Sequence, residues 1–553
     1  IIPIGLLFFA NQLHIPGNTY KTAVIKSVAA IIGMIPEGLV LLTSTVLAVS
    51  VTRLAKKKVL VQELYCIETL ARVDVLCLDK TGTITEGKMS VDKIIPANNY
   101  TEKDVQEILE ILGTYSEDKN STIEAIRVKF KTNKKLTVKE SMPFKSSNKW
   151  SGISLEDATY ILGAPEVISK NKQEVEKYIS EYRVVAIGKS AERLNNKLPE
   201  KIEIIGYVLI SDIIRKNSKE ILSYFEKQGV EIKLISGDNP ITVSNIAKKA
   251  GVKDYTNYID ARTLKTDEEI REAAIKYTIF GRVTPEQKKQ IILALKEKKH
   301  TVAMTGDGVN DVLALKNADC SITVANGSDA ARNVSQLVLL DSDFKSMPNI
   351  VDEGRRTINN IQRSATLFLV KTIYATILAI LFVFVNMPYP FIPIQLTLIN
   401  LVVTGIPSVI LALEPNKDRI KGKFIINIIK RALPTALTVV TNIIIIGIIS
   451  KIYNIDETNY SSVCVVVTAI TGFILLFKIS RPLNLSRAIL FIGVITIFVV
   501  GITLFKGIFS ISLDLSNIIP IIILGIASIF VGIIYNVISN KIFKKVEKRI
   551  AND

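Results

Sequence analysis

Two patterns of apolar and polar positions alternate along the chain. Seven apolar runs, at about 24–52, 364–386, 392–413, 432–451, 461–479, 487–506 and 516–538, reach or approach the roughly 20 residues a helix needs to cross a bilayer. A further run, 1–13, is too short for that. It has no basic leader and no small-residue cleavage site, so it reads as the tail of a truncated span and not as a signal peptide. Between the first long run and the second, short apolar runs of strand length alternate with helix-period stretches. That alternation predicts a parallel α/β sheet. The expected architecture is a multi-span α-helical membrane domain carrying a soluble α/β insert.

Charge orients the spans. The chain of 553 residues is 48% hydrophobic yet carries a formal net charge of +17. Both hold at once if apolar residues fill the spans and basic residues flank them. Arg53, Lys56, Lys57 and Lys58 follow the first long run, and Arg355, Arg356 and Arg363 precede the second. Lys417, Arg419, Lys423, Lys430 and Arg431 lie between the third and fourth, and Arg481 and Arg487 between the fifth and sixth. Lys541, Lys544 and Lys545 follow the last. Basic clusters thus fall on every second loop, the side assigned to the cytoplasm. The expectation is a multi-pass protein of the plasma membrane with its soluble domains in the cytoplasm. No basic stripe is interleaved with aromatics, which argues against a nucleic-acid partner. Cys66, Cys77, Cys320 and Cys464 lack CxxC spacing and there are two His, so neither a zinc site nor a disulfide framework is expected.

The chemistry is concentrated in four segments. An apolar run at 73–78 leads into Asp79-Lys80-Thr81-Gly82-Thr83-Ile84-Thr85. A carboxylate at the end of a parallel strand, followed by a Gly-containing turn, sits where such sheets bind ligands. There Asp79 can act as a nucleophile toward a phosphoryl group, or it can simply cap the turn. The other three are Ser236-Gly237-Asp238 after a strand, Gly281-Arg282-Val283-Thr284-Pro285-Glu286-Gln287-Lys288 at a helix start, and Thr305-Gly306-Asp307-Gly308-Val309-Asn310-Asp311 after a strand. All place polar groups where they can converge at one sheet edge. A carboxylate that attacks a phosphate meets charge repulsion, which a Lys and Mg²⁺ reduce. Asp307 and Asp311 suit Mg²⁺, which prefers oxygen ligands.

The four segments, in this order, resemble those of the P-type ATPases, and the chain resembles the cation-transporting, type II-like members. The resemblance implies a haloacid-dehalogenase-like phosphorylation domain with an inserted α+β nucleotide-binding domain. Its expected division is 1–58 for the family's third (truncated) and fourth spans, 59–91 with 206–345 for the phosphorylation domain, 92–205 for the insert, and 346–553 for a membrane domain of about six spans. It implies Asp79 as the phosphorylated nucleophile, with Lys80, Thr81 and Lys288 beside it, and ATP as substrate. Mg²⁺ would be held by Asp79, Thr81, Asp307 and Asp311. Ser236, Gly237, Asp238, Arg282 and Asn310 would face the nucleotide, Ser236 standing for the family's Thr. In the insert, the segment 143–150 looks like the one whose Phe, here Phe144, stacks on adenine, with Lys149 nearby. Gly163-Ala164-Pro165-Glu166 matches a family motif in which Leu162 replaces a Lys. Arg183 lies on a strand that contacts the phosphates, and Glu124 corresponds to an acidic residue near the adenine amino group. Trp150 is read as core packing.

The first long run contains Ile35-Pro36-Glu37-Gly38-Leu39. Proline removes one helical hydrogen bond, which is expected to free carbonyls near Ile32 and Gly33. Irregular backbone in a membrane is tolerated where it lines a cavity or an ion site. Glu37 in mid-span needs a partner, so these groups read as an oxygen-rich cation site. A kink carrying a protonated, inert Glu is the alternative. Lys371 lies in an otherwise apolar span beside Thr372, and the next span holds Gln395, Asn400 and Thr404. Calcium pumps resemble this chain but carry acidic residues near Ala375 and Thr404, and this chain has neither. Lys371 either pairs with Glu37 as a built-in counter-charge or snorkels to the interface. One carboxylate with one ammonium favours a monovalent cation or a proton over Ca²⁺.

The function expected is ATP-driven cation transport across a bilayer through an aspartyl-phosphate. The alternatives are a haloacid-dehalogenase-type phosphatase and an inactive membrane scaffold. The family's Thr-Gly-Glu loop, which helps water attack the aspartyl-phosphate, does not occur in these residues and precedes them in the family. This stretch alone is therefore expected to form the phosphoenzyme but to turn over slowly.

Overall fold

The computed structural model describes residues 1–553 apart from 98, 146, 170–172, 180, 196, 342–343, 386, 421, 513–514 and 553. It divides into two compact units, Ile1–Arg53 with Asp352–Asp553, and Leu54–Val351.

Seven described segments, lying wholly or mostly in the first unit, are long and apolar enough to cross a membrane: Tyr20–Lys56, Phe344–Phe384, Pro393–Ala412, Phe424–Ile452, Glu457–Ile479, Leu485–Thr503 and Ile518–Val546. They follow the seven apolar runs of the sequence. The Ile2–His14 helix is shorter. Two of the seven segments are interrupted. Tyr20–Met34 and Glu37–Lys56 are separate helices divided at Ile35 and Pro36. Pro393–Ile399 passes through a π-helical turn, Asn400–Gly405, before Ile406–Ala412. Pro407 in that last helix has no N–H to donate to a carbonyl one turn back, which accounts for the widened turn before it.

A buried charge cluster fastens one end of this unit. Glu414 accepts from Arg487 Nε at 2.8 and 2.9 Å and Nη2 at 2.6 Å, and from Arg363 Nη1 at 2.9 Å. Arg487 Nη1 also donates to the carbonyls of Ser480 (3.1 Å) and Pro482 (2.6 Å). One carboxylate so ties three chain segments together. Glu414→Ala leaves two buried guanidinium groups without a counter-charge, at a cost of about 3–5 kcal/mol. The expected result is a clear drop in the thermal unfolding midpoint of the detergent-purified protein. An unchanged midpoint would show that the cluster adds nothing.

The described residues of the second unit form fourteen strands: β1 (Val59–Val61), β2 (Val75–Asp79), β3 (Thr85–Pro96), β4 (Glu140–Met142), β5 (Trp150–Ser154), β6 (Thr159–Gly163), β7 (Arg183–Ser190), β8 (Glu203–Ile214), β9 (Glu231–Ile235), β10 (Tyr258–Asp260), β11 (Ile279–Gly281), β12 (Val302–Thr305), β13 (Cys320–Val324) and β14 (Leu337–Leu339). Eight form one sheet in the order β1-β14-β13-β12-β2-β9-β11-β10, parallel except for β1 against β14. Every residue of β2 is buried, as a strand covered on both faces requires. The other six form an antiparallel sheet in the order β3-β8-β7-β6-β5-β4. The resemblance puts the insert at 92–205. Its two outer strands run unbroken from Thr85 and to Ile214, so the chain enters and leaves the insert along one long antiparallel pair.

Candidate functional site

The order of the parallel sheet decides the site. β12, β2 and β9 are neighbours, so their C-terminal ends deliver the segments after Thr305, Asp79 and Ile235 to one edge. The fourth segment arrives through the Pro285–Glu297 helix. Thr284 caps that helix by accepting from the Gln287 N–H, while Gln287 returns a bond to the Thr284 N–H, a reciprocal cap that fixes the helix start. Lys288 lies in its first turns and is 4% exposed.

Lys288 is the hub. Its Nζ donates to Asp79 Oδ1 at 2.6 Å and to Asp311 Oδ1 at 2.5 Å. Asp79 Oδ2 accepts from the Thr81 N–H at 3.1 Å, and Asp311 Oδ2 from the Gly308 N–H at 3.1 Å. Carboxylate oxygens of Asp79, Asp307 and Asp311 all lie within 4.8 Å of one another. Burial pushes the Asp79 carboxyl up; Lys288 pulls it back down, and Asp311 raises it again. Burial also raises Asp307, with Asp311 adding to the effect. The Lys288 ammonium is penalised by burial, but Asp79 and Asp311 outweigh that and hold it above its ordinary value. Three carboxylates thus share one fixed cation, which leaves the cluster an excess of negative charge and of oxygen donors.

Gly82 sets how closely the loop passes this cluster. Its φ is +69°, and a Cβ there would stand 2.0 Å from Asp307 Oδ2. Only glycine allows both the left-handed turn and that approach. Arg215 supports the loop from below, donating from Nη2 to the Gly82 carbonyl at 2.9 Å.

Lys80 turns the other way. Its Nζ donates to Asp212 (2.8 Å) and Asp238 (2.5 Å). Together with Arg183, these residues line a cleft of about 280 Å³ between β7, β8 and the Pro240–Ala250 helix. Asp238 is held by its N–H donating to Ser236 Oγ at 3.2 Å. Gly237 faces open space. Arg282 has φ +55°, donates its N–H to the Asp238 carbonyl at 2.7 Å, and directs Nη1 to Asp260 at 2.8 Å. Its guanidinium is tied up there, away from the Lys288 cluster. Asn310 and Thr81 are exposed at the mouth.

The insert residues are more dispersed. Arg183 Nη1 donates to Thr122 Oγ1 at 3.3 Å, in the first turn of the Ser121–Lys129 helix that also carries Glu124. Glu124 is ion-paired with Arg127. Phe144 is 42% exposed and its N–H donates to Asp118 at 2.6 Å. Lys149 pairs with Glu166 at 3.2 Å. Gly163 is enclosed: a Cβ there would lie 2.7 Å from that of Trp150, so packing accounts for the glycine. Trp150 and Leu162 are core residues. Ser146, in the 143–150 segment, lies outside the described residues.

In the membrane unit the helix break occurs where Pro36 predicts it. The Ile32 carbonyl is not freed, however. It accepts from the Ile35 N–H at 3.3 Å, because the helix end tightens into a three-residue turn. Gly33 is pressed against Ala375, 2.8 Å from an added Cβ. Among the described residues, no hydrogen bond or ion pair within 4.0 Å joins Glu37, Lys371, Asn400 and Thr404 to one another, so the expected Glu37–Lys371 pair is not a direct contact, although the Glu37 charge acts on Lys371 through space. Glu37 is exposed in the first turn of its helix, and Lys371 is buried within its own. Thr372 bonds back to the Phe368 carbonyl at 3.3 Å, Asn400 opens the π-helical turn, and Thr404 is buried within it.

Comparison with known proteins decides between the readings. A haloacid dehalogenase-like hydrolase family matches residues 73–319. A probable cation-transporting ATPase of Streptococcus pneumoniae, exp7, is 42% identical over 507 residues, covering 89% of this chain and 65% of its own length. The calcium-transporting ATPase CtpE of Mycolicibacterium smegmatis is 38% identical over 512 residues, covering 89% and 64%. A probable cation-transporting P-type ATPase of Mycoplasma genitalium is 30% identical over 468 residues, covering 76% and 53%. The chain belongs to the P-type ATPases. It spans just under two thirds of the length of the first two relatives and is an integral, multi-pass membrane protein.

Within this P-type ATPase, one pair of residues at the site escapes the four motifs. Asp212 and Arg215 come from β8 and the turn after it, more than a hundred residues from Asp79 in sequence. A carboxylate and a guanidinium just past a buried strand were the available signal. Within the motifs, the Thr83 and Thr305 hydroxyls stand 3.3 Å apart and join the first motif to the fourth.

Proposed function

We propose that the protein containing this chain is an ATP-driven cation pump that works through an aspartyl-phosphate at Asp79. One observation carries this reading: a buried carboxylate at a sheet edge, 2.6 Å from Lys288 and clustered with Asp307 and Asp311. An Asp79 oxygen forms a bond to the γ-phosphorus of ATP, the bond to the bridging oxygen breaks, and ADP leaves with that electron pair. Lys288 lies where it can neutralise charge on the transferred group. The three carboxylates fit Mg²⁺ by donor type and spacing; Asp79, Asp307 and Asp311 would hold it, with Thr81 at the mouth. When bound, Mg²⁺ supplies neutralisation of the phosphate oxygens. The Lys80–Arg183–Asp238 cleft is the proposed phosphate end of the nucleotide site, with Phe144, Lys149 and Glu124 toward its adenine end. Ser236, Gly237, Arg282 and Asn310 line its approach, and Gly163 shapes the strand beside it.

A phosphatase would share Asp79 and the sheet, but the seven spans argue for transport. An inactive scaffold would have no need of the intact Lys288 cluster. The proposed setting is the plasma membrane, with ATP and an inorganic cation as the partners.

The ion itself divides two readings. Glu37 with Lys371, and no acidic side chain in the next two spans, favour a monovalent cation or a proton. The comparisons do not support that preference, and the relatives named for calcium favour Ca²⁺. The test is the cation dependence of phosphoenzyme formation in the full-length protein and in Lys371→Ala. If Lys371 is a counter-charge, its loss changes which cation stimulates phosphorylation. The same selectivity in both proteins would remove that role, and no stimulation by any cation would remove the pump reading.

A further inference from the structure

The membrane unit contains a cavity remote in sequence from Glu37 and unused by the reading above. It has a volume of about 540 Å³ and lies between the 359–363 stretch of the Met347–Phe384 helix, the start of the Phe424–Ile452 helix and the end of the Glu457–Ile479 helix. Such a volume falls in the range of small-molecule sites. Five basic side chains line it, Arg363, Arg419, Arg431, Lys478 and Arg481, against one carboxylate, Asp418. Arg363 is neutralised by Glu414 at 2.9 Å, and Arg481 lies over the Phe477 ring at 4.7 Å. Among the described residues the side chains of Arg419, Arg431 and Lys478 make no hydrogen bond or ion pair.

A second observation points to a ligand. Gln362 lines the same cavity, is only 5% exposed, and its Nε2 has no hydrogen-bond partner. A buried N–H without an acceptor is costly, and a turn of the Gln362 side chain would bring it to an anionic oxygen in the cavity, which would also offset the repulsion among the cations. The charge excess selects a phosphate-bearing anion. Leu475 and Ile479 form an apolar wall at the end of a spanning helix, which a free phosphate would not use and an acyl glycerol would. Basic pockets between helices at the cytoplasmic face hold acidic lipid headgroups in this way.

We propose that this cavity binds the headgroup of an anionic phospholipid. The proposal needs only the membrane-spanning character of the chain and is independent of the chemistry at Asp79. The test uses the full-length protein in neutral detergent, titrated with short-chain phosphatidylglycerol, with phosphatidylcholine of the same chain length, and with inorganic phosphate. Binding is read by native mass spectrometry, and an unchanged elution volume and thermal unfolding midpoint serve as the check that each variant is folded. Phosphatidylglycerol is expected to bind one to one and phosphatidylcholine not at that site. The double variant Arg431→Ala/Lys478→Ala lowers the phosphatidylglycerol affinity roughly thirtyfold, and Gln362→Leu also weakens it. Equal binding of phosphatidylcholine, or phosphatidylglycerol binding undiminished in both variants, would overturn the proposal. So would inorganic phosphate binding with the same affinity and the same sensitivity to the variants, which would make this a site for a free anion.

Discussion

Lys288→Ala lowers the rate of ATP-dependent phosphoenzyme formation by roughly a hundredfold to a thousandfold, the scale expected when one preorganised charge facing a developing anion is removed. The loss has two parts. The variant lacks the ammonium that would meet the transferred phosphoryl group. It also leaves Asp79 and Asp311 buried side by side with no counter-charge. Two such carboxylates cannot both ionise cheaply, so at least one takes up a proton, and a protonated Asp79 is no nucleophile. The sign for stability follows. Folded-state carboxyls raised above their unfolded values bind protons that the unfolded chain has released. The variant is therefore most stable in acid and loses stability as pH rises through the raised values. Lys288→Arg restores the charge and part of the rate. An alanine variant that phosphorylates at the normal rate would show Lys288 to be a structural residue only.

Gly82→Ala is expected to be nearly as damaging, for a geometric reason. The left-handed φ costs an alanine about 1–2 kcal/mol, and the added methyl carbon would sit 2.0 Å from Asp307 Oδ2. Either Asp307 or the loop has to move. A displacement of about 1 Å at such a site costs on the order of a hundredfold in rate, and the Mg²⁺ concentration for half-maximal phosphorylation should rise as well. Gly87 supplies the control. It has φ +70° and nothing within 4 Å of an added Cβ, so Gly87→Ala carries the strain without the clash. Equal effects from the two substitutions would show that backbone strain, not crowding of Asp307, is what matters at Gly82.

The sequence shows the catalytic cluster clearly because its parts obey one rule. Each of Asp79, Ser236 and Asp307 follows an apolar strand, and strands that pair in parallel must present those ends together. The seven spans are legible for an equally simple reason, since length and hydropathy suffice. Features set by non-local geometry are not legible. Lys80 stands in the most conspicuous motif, yet its partners are Asp212 and Asp238, brought to it only by the pairing of β2 with β9 and the path of β8. The boundary of the insert is blurred because β3 and β8 keep a strand pattern across it. The π-helical turn at Asn400–Gly405 lies inside an apolar run that reads as one continuous helix, with Pro407 as the only local sign. Two charges in mid-span suggest a Glu37–Lys371 pair, and in the fold they act on each other without direct contact. Their separation depends on how two helices are rotated, which hydrophobic periodicity does not specify when nearly every position is apolar.

The central claim is that a phosphoryl group moves from ATP to one aspartate. The most direct measurement incubates the full-length protein with γ-labelled ATP and Mg²⁺ across a range of cations, quenches in acid and treats the product with hydroxylamine. The account predicts a labelled protein whose label hydroxylamine removes, as an acyl phosphate requires, and no label in Asp79→Asn. Unlabelled protein under every cation condition, or a label that survives in Asp79→Asn, would contradict it.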